Sequence, residues 1–397
     1  MDDRFSALGE LAVHGANVQP GQVVALSASV GQEELARAVA EAAYRRGARF
    51  VDVVYYDPLL KRARIAYADP ATLDYVPPWY VERLMTLAEH GDARIALAGV
   101  VEPLALEGLD PVLLGRDQLP RLRELSEVID ERATNWTMVP CPNRAWARLV
   151  FPGVDEEIAY ERLWRELWHV LRLDEIDPKV AWERRIEALG ESARALTERD
   201  FDSLELRGPG TELTIGLLPG SRWGSGDLET KSGIRHLPNL PTEEVFTTPD
   251  PRRTHGHVAS TKPLVLADGL IVRDLRVRFD HGRAVEVEAD HNGEALKLKT
   301  ELDEGAARLG EVALVDGRGR IGPLGTVFYE TLLDENAASH IALGNGVASV
   351  LGTGGEELMN RSQIHIDFMI GSPELDVVGL TRTGDRVPVL SGGDWRI

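Results

Sequence analysis

The stretch "QVVALSASVGQEELARAVAEAAYRRGARFVDVVYYD", residues 22–57, decides the fold class of the first half of the chain. It opens and closes with short apolar runs, at 22–29 and 49–57, which predict two strands. Between them, residues 32–48 carry an apolar stripe at helical spacing, and Gly47 is suited to end that helix. The order strand–helix–strand predicts a parallel sheet covered by helices.

The same alternation of predicted strands and helices continues along the first half of the chain. A helix predicted at 79–90 precedes a strand predicted at 93–100. Residues 155–200 are strongly helical, and Pro178 divides them into two helices because proline is disfavoured inside a helix. We therefore expect an α/β N-terminal domain with a helical extension at residues 1–195.

From about residue 201 the pattern changes to short strands joined by turns. The run "DSLELRGPGTELTIGLL" (202–218) predicts two strands around a Gly-Pro-Gly turn. Residues 270–289 predict a hairpin whose turn contains His281 and Gly282. We expect an α+β C-terminal domain with mostly antiparallel strands at residues 196–397.

The composition of the chain indicates which partners and which cellular location to expect. The chain has 397 residues, 43% of them hydrophobic, and 64 acidic against 44 basic side chains give a formal net charge of −20. Such a charge repels nucleic acid and anionic membranes, so neither is expected as a partner. Because there is a single cysteine, Cys141, and residues 1–18 lack the organisation of a secretion signal, we expect a cytoplasmic protein.

Five ionisable side chains interrupt apolar stretches of the second half. In the predicted strand 364–368, His365 and Asp367 alternate with apolar residues and therefore share one face. Buried ionisable groups are costly unless they are paired or bind a metal, so this pattern indicates a metal site. The five candidate ligands are Glu244, Glu311, His340, His365 and Asp367.

The charges of these residues suit two divalent cations. Three carboxylates and two neutral imidazoles give −3 against +4, which leaves a positive charge to hold a hydroxide. Mixed nitrogen and oxygen ligands fit zinc, cobalt or manganese. A pair of such ions generates a nucleophile near neutral pH and polarises a carbonyl, which predicts a hydrolase.

Long motifs along the whole chain resemble one known family. They include "NVQPGQ" (17–22), "WARLVFPG" (146–153), "NLPTEEVFTTPD" (239–250), "LLDENAASHIALG" (332–344) and "HIDFMIGSPELDVVG" (365–379). By these motifs the chain resembles the thermophilic-type metallo-aminopeptidases. The resemblance places that family's metal ligands on the same five residues. It implies a homodimer with an enclosed cavity that releases N-terminal amino acids from short peptides. In such an enzyme we expect a metal-bound carboxylate, Glu311, to transfer the proton.

Two residues depart from the pattern of that family. Val347 stands where the family has a tyrosine that is thought to contact the substrate, and His255 replaces an acidic residue before Gly256. Both are therefore candidate substrate-binding residues, although His255 is also explained as a solvated loop residue. The loss of one hydroxyl donor can lower a rate by about a hundredfold.

These departures leave alternatives to an aminopeptidase open. A metal-dependent hydrolase of a non-peptide amide or an amino-acid conjugate would suit the more apolar pocket that Val347 creates. A mononuclear iron oxygenase would use His340, His365 and Asp367 as a two-histidine, one-carboxylate triad. Glu244 and Glu311 argue against the oxygenase because they supply a second metal position. A protein that binds a ligand without catalysis is least expected, because all five candidate ligands are present.

Overall fold

A computed structural model describes residues 3–117, 119–120, 122, 124–266, 269–352 and 355–397. The chain divides into two compact units. The first unit comprises Met1–Arg184 together with Asp227–Thr242, and the second comprises Arg185–Gly226 together with Glu243–Ile397. The single domain boundary between residues 195 and 196 that the sequence suggests stays a prediction.

The helices and strands among the described residues are as follows. The α-helices are α1 Asp3–Gly15, α2 Glu33–Arg45, α3 Pro58–Tyr67, α4 Pro78–His90, α5 Pro111–Arg116, α6 Glu124–Asp130, α7 Arg144–Val150, α8 Glu156–Val170, α9 Pro178–Arg199, α10 Gly293–Thr300 and α11 Thr331–Asp334. The strands are β1 Val23–Ser29, β2 Phe50–Tyr56, β3 Ala93–Ala98, β4 Trp136–Pro140, β5 Phe201–Gly208, β6 Thr211–Leu217, β7 Leu228–Glu229, β8 Arg235–His236, β9 Glu244–Thr247, β10 Pro249–Ala259, β11 Leu264–Val265, β12 Ile271–Val272, β13 Arg276–Asp280, β14 Arg283–Glu288, β15 Leu309–Val315, β16 His340–Gly344, β17 His365–Met369, β18 Asp376–Thr381, β19 Arg386–Ser391 and β20 Asp394–Trp395.

The first unit contains a parallel sheet with the strand order β2-β1-β3-β4. The predicted strand–helix–strand start is confirmed: β1 and β2 pair in parallel and α2 connects them. Gly47 has a φ of +95°, a conformation that glycine adopts without strain. Helix α2 lies close to α1, where a Cβ on Gly9 would come within 2.7 Å of the backbone of Ala38. The apolar side chains of the stripe predicted for α2 are buried.

Among its described residues, the second unit contains two large antiparallel sheets and the two-stranded antiparallel sheet β11-β12. One has eight strands in the order β14-β13-β10-β6-β5-β18-β19-β20. The other has four strands in the order β17-β16-β15-β9, and every residue of β15 and β16 is buried. The whole is a mixed α/β fold. The antiparallel four-stranded sheet, called the four-stranded sheet below, is the element that positions the site.

Several local predictions can be compared with the observed elements. Pro178 is the first residue of α9, where its missing N–H costs nothing, so the predicted division of the helical segment is confirmed. The hairpin predicted over 270–289 is confirmed from β13 onward but wrong before it. Ile271 and Val272 instead pair with β11, and Asp274 has a positive φ of 54° that separates them from β13. None of the helices in the described part of the chain is long and apolar enough to cross a membrane.

Candidate metal centre

The four-stranded sheet places all five candidate ligands on one of its faces. Residues directly opposite each other in paired strands share a face, and so do residues two apart in one strand. Ala342 of β16 lies opposite both Glu311 of β15 and Asp367 of β17. His340 is two residues before Ala342, and His365 is two residues before Asp367, so these four candidate ligands lie on one face.

Glu244 reaches the same face through its neighbours in the sheet. It is two residues before Phe246, which lies opposite Ala313 of β15, and Ala313 also lies opposite His340. Ala313 and Ala342 are fully buried and sit between the strands that carry the ligands. Their small side chains leave room between the larger ionisable groups around them.

The side chains meet in three imidazole–carboxylate contacts, one made by His340 and two by His365. His340 Nε2 lies 3.1 Å from Glu244 Oε2. His365 Nε2 lies 3.1 Å from Glu311 Oε2 and 3.3 Å from Asp367 Oδ1. One ligand atom from each of Glu311, His365 and Asp367 lies within 4.8 Å of the other two, which makes this trio a candidate metal-binding group.

Hydrogen bonds to backbone carbonyls determine which ring nitrogen of each histidine carries the proton. The other ring nitrogen faces the carboxylates. His340 Nδ1 lies 3.0 Å from the carbonyl oxygen of Glu335, and His365 Nδ1 lies 2.8 Å from that of Asn345. A carbonyl oxygen only accepts hydrogen bonds, so each Nδ1 carries a proton, and in the neutral ring Nε2 is left with a lone pair. That lone pair points toward carboxylate oxygens. Two acceptors that face each other at 3.1 Å are held together by a metal cation or a proton.

The electrostatics of the cluster also favour a cation. The pKa of Glu244 is raised to about 7 by burial and by the carboxylates of Glu311 and Asp367, although His340 opposes this. Burial lowers the pKa of His365, but Asp367 and Glu311 more than compensate, so its pKa lies well above the usual range. Glu244 Oε2 is buried and has no hydrogen-bond donor among the described residues. The residues present therefore fit one or more divalent cations.

A further carboxylate, Glu335, belongs to this cluster and was missed from the sequence. Its pKa is raised well above the usual range by burial and then by Asp367, Glu244 and Glu311. It follows α11 directly and lies five residues before His340 in the motif "LLDENAASHIALG". The sequence signal that could have identified Glu335 is its position in the same motif as the candidate ligand His340. The cluster thus holds four glutamate or aspartate groups rather than three.

A buried ion-pair network holds the segment that carries Glu244. Arg185 Nε lies 2.5 Å from Glu243 Oε2, and its Nη2 lies 3.3 Å from Asp316 Oδ1. The Glu243 and Asp316 side chains are fully buried. The Asn336 side chain accepts a 2.7 Å hydrogen bond from the Glu243 N–H. Because Glu243 immediately precedes Glu244, this network fixes the start of β9.

Arg185→Met is expected to destabilise the protein by about 3–5 kcal/mol, because it removes the buried cation that Glu243 and Asp316 share and leaves Asp316 with only the exposed Arg318 as an ion-pair partner. Chemical denaturation of the wild type and the variant measures the difference. Arg207→Met is the matched control, since Arg207 is 65% exposed and its ion pairs contribute little. Equal loss of stability in both variants would contradict a specific role for Arg185.

The two predicted substrate-binding residues lie in different places. Val347 follows the strand that carries His340, is half-buried, and exchanges backbone hydrogen bonds with the Thr248 hydroxyl. His255 is exposed on β10 of the eight-stranded sheet, in a separate group with Asp280 and His281. The structure brings neither into the imidazole–carboxylate cluster, and their contact with substrate stays a prediction.

A mixed α/β fold with histidines and carboxylates clustered on one sheet face is typical of metal-dependent enzymes. Comparison with known proteins agrees. The sequence model of the thermophilic metalloprotease family (M29) matches residues 1–395, so the chain belongs to that family. The resemblance noted from the motifs is confirmed.

Individual relatives match over almost the whole chain. Aminopeptidase T of Thermus aquaticus is 43% identical over 405 residues, covering 100% of this chain and 99% of its own. Aminopeptidase PepS of Streptococcus thermophilus is 36% identical over 98% of this chain and 96% of its own. The solved structure of wild-type AmpT from Thermus thermophilus has a TM-score of 0.90 and 42% identity, covering 100% of this chain and 99% of that one.

Proposed function

We propose that this protein is a binuclear metal-dependent aminopeptidase that releases N-terminal amino acids from short peptides. The observation that carries the proposal is the pair of imidazoles whose Nε2 atoms face carboxylates while both Nδ1 protons are committed to backbone carbonyls. Family membership and the names of the relatives support the peptide substrate.

The five candidate ligands would hold two divalent ions of zinc, cobalt or manganese. When bound, such ions polarise the carbonyl to be cleaved and lower the pKa of a water molecule. Glu244 and His340 meet at one contact, and Glu311, His365 and Asp367 meet at another. This grouping supports two positions, each with nitrogen and oxygen ligands, on one sheet face. It disfavours an iron oxygenase, which would leave Glu244 and Glu311 without a role.

The protein's own residues supply proton transfer and orientation. Glu311 is the proposed proton carrier, because its Oε2 faces His365 at 3.1 Å on the face where the ligands converge. Glu335 is a second candidate for this role, since its carboxyl group lies among the same charges. The backbone carbonyls of Glu335 and Asn345 keep both imidazoles in the orientation that binding requires.

The organisation of the protein around this site is also proposed. The five candidate ligands and Glu335 all belong to the second unit, which supports a catalytic α+β domain at 196–397 beside an α/β domain at 1–195. A homodimer and a cytoplasmic location remain predictions, and sedimentation of the purified protein would measure the first.

Release of free amino acids from di- to pentapeptides by the full-length, metal-loaded protein tests the proposed function. We expect a new α-amine for each bond cleaved, with removal of residues strictly from the N-terminus. The same peptides with an acetylated N-terminus are the control and are expected to resist cleavage. A lack of hydrolysis across a broad peptide panel, with metal content verified, would overturn the proposal.

Val347 favours a second candidate function, hydrolysis of a non-peptide amide or an amino-acid conjugate. Its side chain has no hydroxyl to donate a hydrogen bond. It lies two residues after Asn345, whose carbonyl accepts from the Nδ1 of metal-ligand candidate His365. An aliphatic group there would suit a less polar substrate than a peptide.

Val347→Tyr separates these two functions. If the natural substrate is not a peptide, the variant is expected to hydrolyse peptides about a hundredfold faster, because it regains a hydroxyl donor. Val347→Phe is the matched control, since it adds the ring without the hydroxyl. Steady-state kinetics on one dipeptide amide measures both. Unchanged or lower peptide turnover in Val347→Tyr would retain the aminopeptidase and reject the alternative.

A further inference from the structure

A second group of potential metal ligands lies on the eight-stranded sheet and not on the sheet that carries the candidate metal centre. It consists of His255 on β10, Asp280 at the end of β13, and His281 in the turn that follows. All three are exposed, and one ligand atom from each lies within 4.8 Å of the other two. We name these three residues the hairpin cluster.

Strand pairing brings two members of the hairpin cluster together. Gly256 lies opposite Phe279 in the antiparallel pair of β10 and β13, so His255 and Asp280 are the next opposed positions. Opposed residues share a face of the sheet, which places the imidazole beside the carboxylate. The observed distance from His255 Nδ1 to Asp280 Oδ1 is 3.7 Å.

The turn brings in the third member. His281 and Gly282 both have positive φ values, 46° and 78°, as in the two-residue turns that suit hairpins. Glycine is a usual residue in such turns, and histidine is one of the few other residues enriched at positive φ. This conformation places His281 Nε2 3.8 Å from Asp280 Oδ1, and the two imidazole rings meet edge to face at 5.0 Å.

Contacts with β10 hold the turn in place. The Gly282 N–H donates to the carbonyl of Thr254 at 2.9 Å, and a Cβ on Gly282 would lie 2.0 Å from the carbonyl oxygen of Pro251. Arg308 donates to the carbonyls of Pro251 at 3.0 Å and His281 at 3.3 Å. The backbone under the hairpin cluster is therefore fixed before any ligand binds.

We propose that the hairpin cluster binds a late first-row divalent metal ion of the zinc, nickel and copper class. Two neutral imidazoles and one carboxylate are donors that this class prefers, with solvent free to complete the coordination. Ligand distances of about 2.0–2.2 Å in a tetrahedral site separate neighbouring donor atoms by roughly 3.3–3.6 Å. The separations of 3.7 and 3.8 Å need only small side-chain rotations to reach this geometry.

Charge and hydrogen bonding do not oppose binding. The three side chains carry a net charge of −1 when both imidazoles are neutral, and the chain's formal net charge of −20 attracts cations. His255 Nδ1 accepts a long hydrogen bond of 3.3 Å from the His281 N–H. A cation replaces that bond at little cost, because His281 is exposed and a water molecule can accept from its N–H in place of His255.

His281→Asn tests the proposal without disturbing the hairpin, because asparagine is preferred at the first position of this turn. Metal-depleted, full-length protein is titrated with Zn²⁺ by calorimetry, and bound zinc is counted after equilibrium dialysis. We expect His281→Asn and Asp280→Asn each to bind about one ion fewer than the wild type, while peptide hydrolysis stays unchanged. His90→Asn, which removes an exposed imidazole elsewhere, is expected to match the wild type.

The proposal is overturned if wild type and His281→Asn bind the same number of zinc ions with the same affinity. It is also overturned if His90→Asn loses as much zinc as His281→Asn, since that shows only diffuse binding by surface histidines. Thermal unfolding of each variant confirms that the counted protein is folded. Because the count is a difference between variants that retain the candidate metal centre, its failure leaves the proposed peptidase function untouched.

Discussion

Glu311→Gln is expected to lower kcat/KM for peptide hydrolysis by about a thousandfold or more, which corresponds to about 4 kcal/mol of transition-state stabilisation. Glutamine keeps the size of the side chain but removes the charge that faces His365 at 3.1 Å. It thereby removes both a proposed metal ligand and the proposed proton carrier. Steady-state kinetics with a fixed dipeptide substrate measures the loss.

Two comparisons make this result specific. Glu212→Gln changes a glutamate that is 71% exposed on the other sheet and is expected to leave kcat/KM unchanged. Glu335→Gln separates the two roles of Glu311. A large fall in the kcat of Glu335→Gln with full metal content would assign proton transfer to Glu335. A small fall would leave proton transfer assigned to Glu311. Activity of Glu311→Gln within tenfold of the wild type would contradict both proposed roles of Glu311.

His365→Asn is expected to weaken metal binding by at least about a hundredfold and to abolish measurable peptide hydrolysis. His365 contacts two carboxylates, Glu311 and Asp367, and its Nδ1 is oriented by Asn345. Asparagine cannot place a nitrogen lone pair at the position of Nε2. Metal content after dialysis, measured together with kinetics, shows whether both are lost.

The matched control for this variant is His257→Asn, which changes an exposed histidine in a strand of the other sheet. It is expected to keep full peptide activity. If His365→Asn keeps its metal content and merely turns over more slowly, the imidazole orients substrate and is not a ligand. That result would remove the main support for the ligand set.

The parts of the fold with strong periodicity could be predicted from the sequence. Helix α2 and the strands on either side of it carry clear apolar patterns, and Pro178 and Gly47 mark helix ends by their own chemistry. The face shared by His365 and Asp367 follows from simple alternation, and the strand pairing agrees with it. Local patterns suffice where a residue's neighbours in sequence determine its surroundings.

Features that depend on which segments pair with each other could not be predicted in this way. The segment 227–242 groups with the first unit, yet its sequence resembles the strand-rich half that surrounds it. Ile271 and Val272 look like the start of a hairpin strand, but they pair with β11 instead. The choice of pairing partner decides both cases, and the periodicity of a single strand holds no information about it.

The same limit explains what was missed around the candidate metal centre. Glu335 lies in a short helical turn without an alternating pattern, so its approach to Glu244 and Asp367 is visible only in the folded chain. Arg185 lies 58 residues from Glu243 along the sequence, and no local sequence pattern around either residue predicts their ion pair. By contrast, the five candidate ligands interrupt apolar strands, and that interruption is a local signal.

Anomalous X-ray diffraction from crystals of the zinc-loaded protein tests the central claim most directly. Two peaks per chain are predicted on one face of the four-stranded sheet, within bonding distance of the five candidate ligands. Any additional peak at the hairpin cluster is counted separately. A single ion on that face, or carboxylates of Glu244 and Glu311 that point away from the metal, would contradict the binuclear centre.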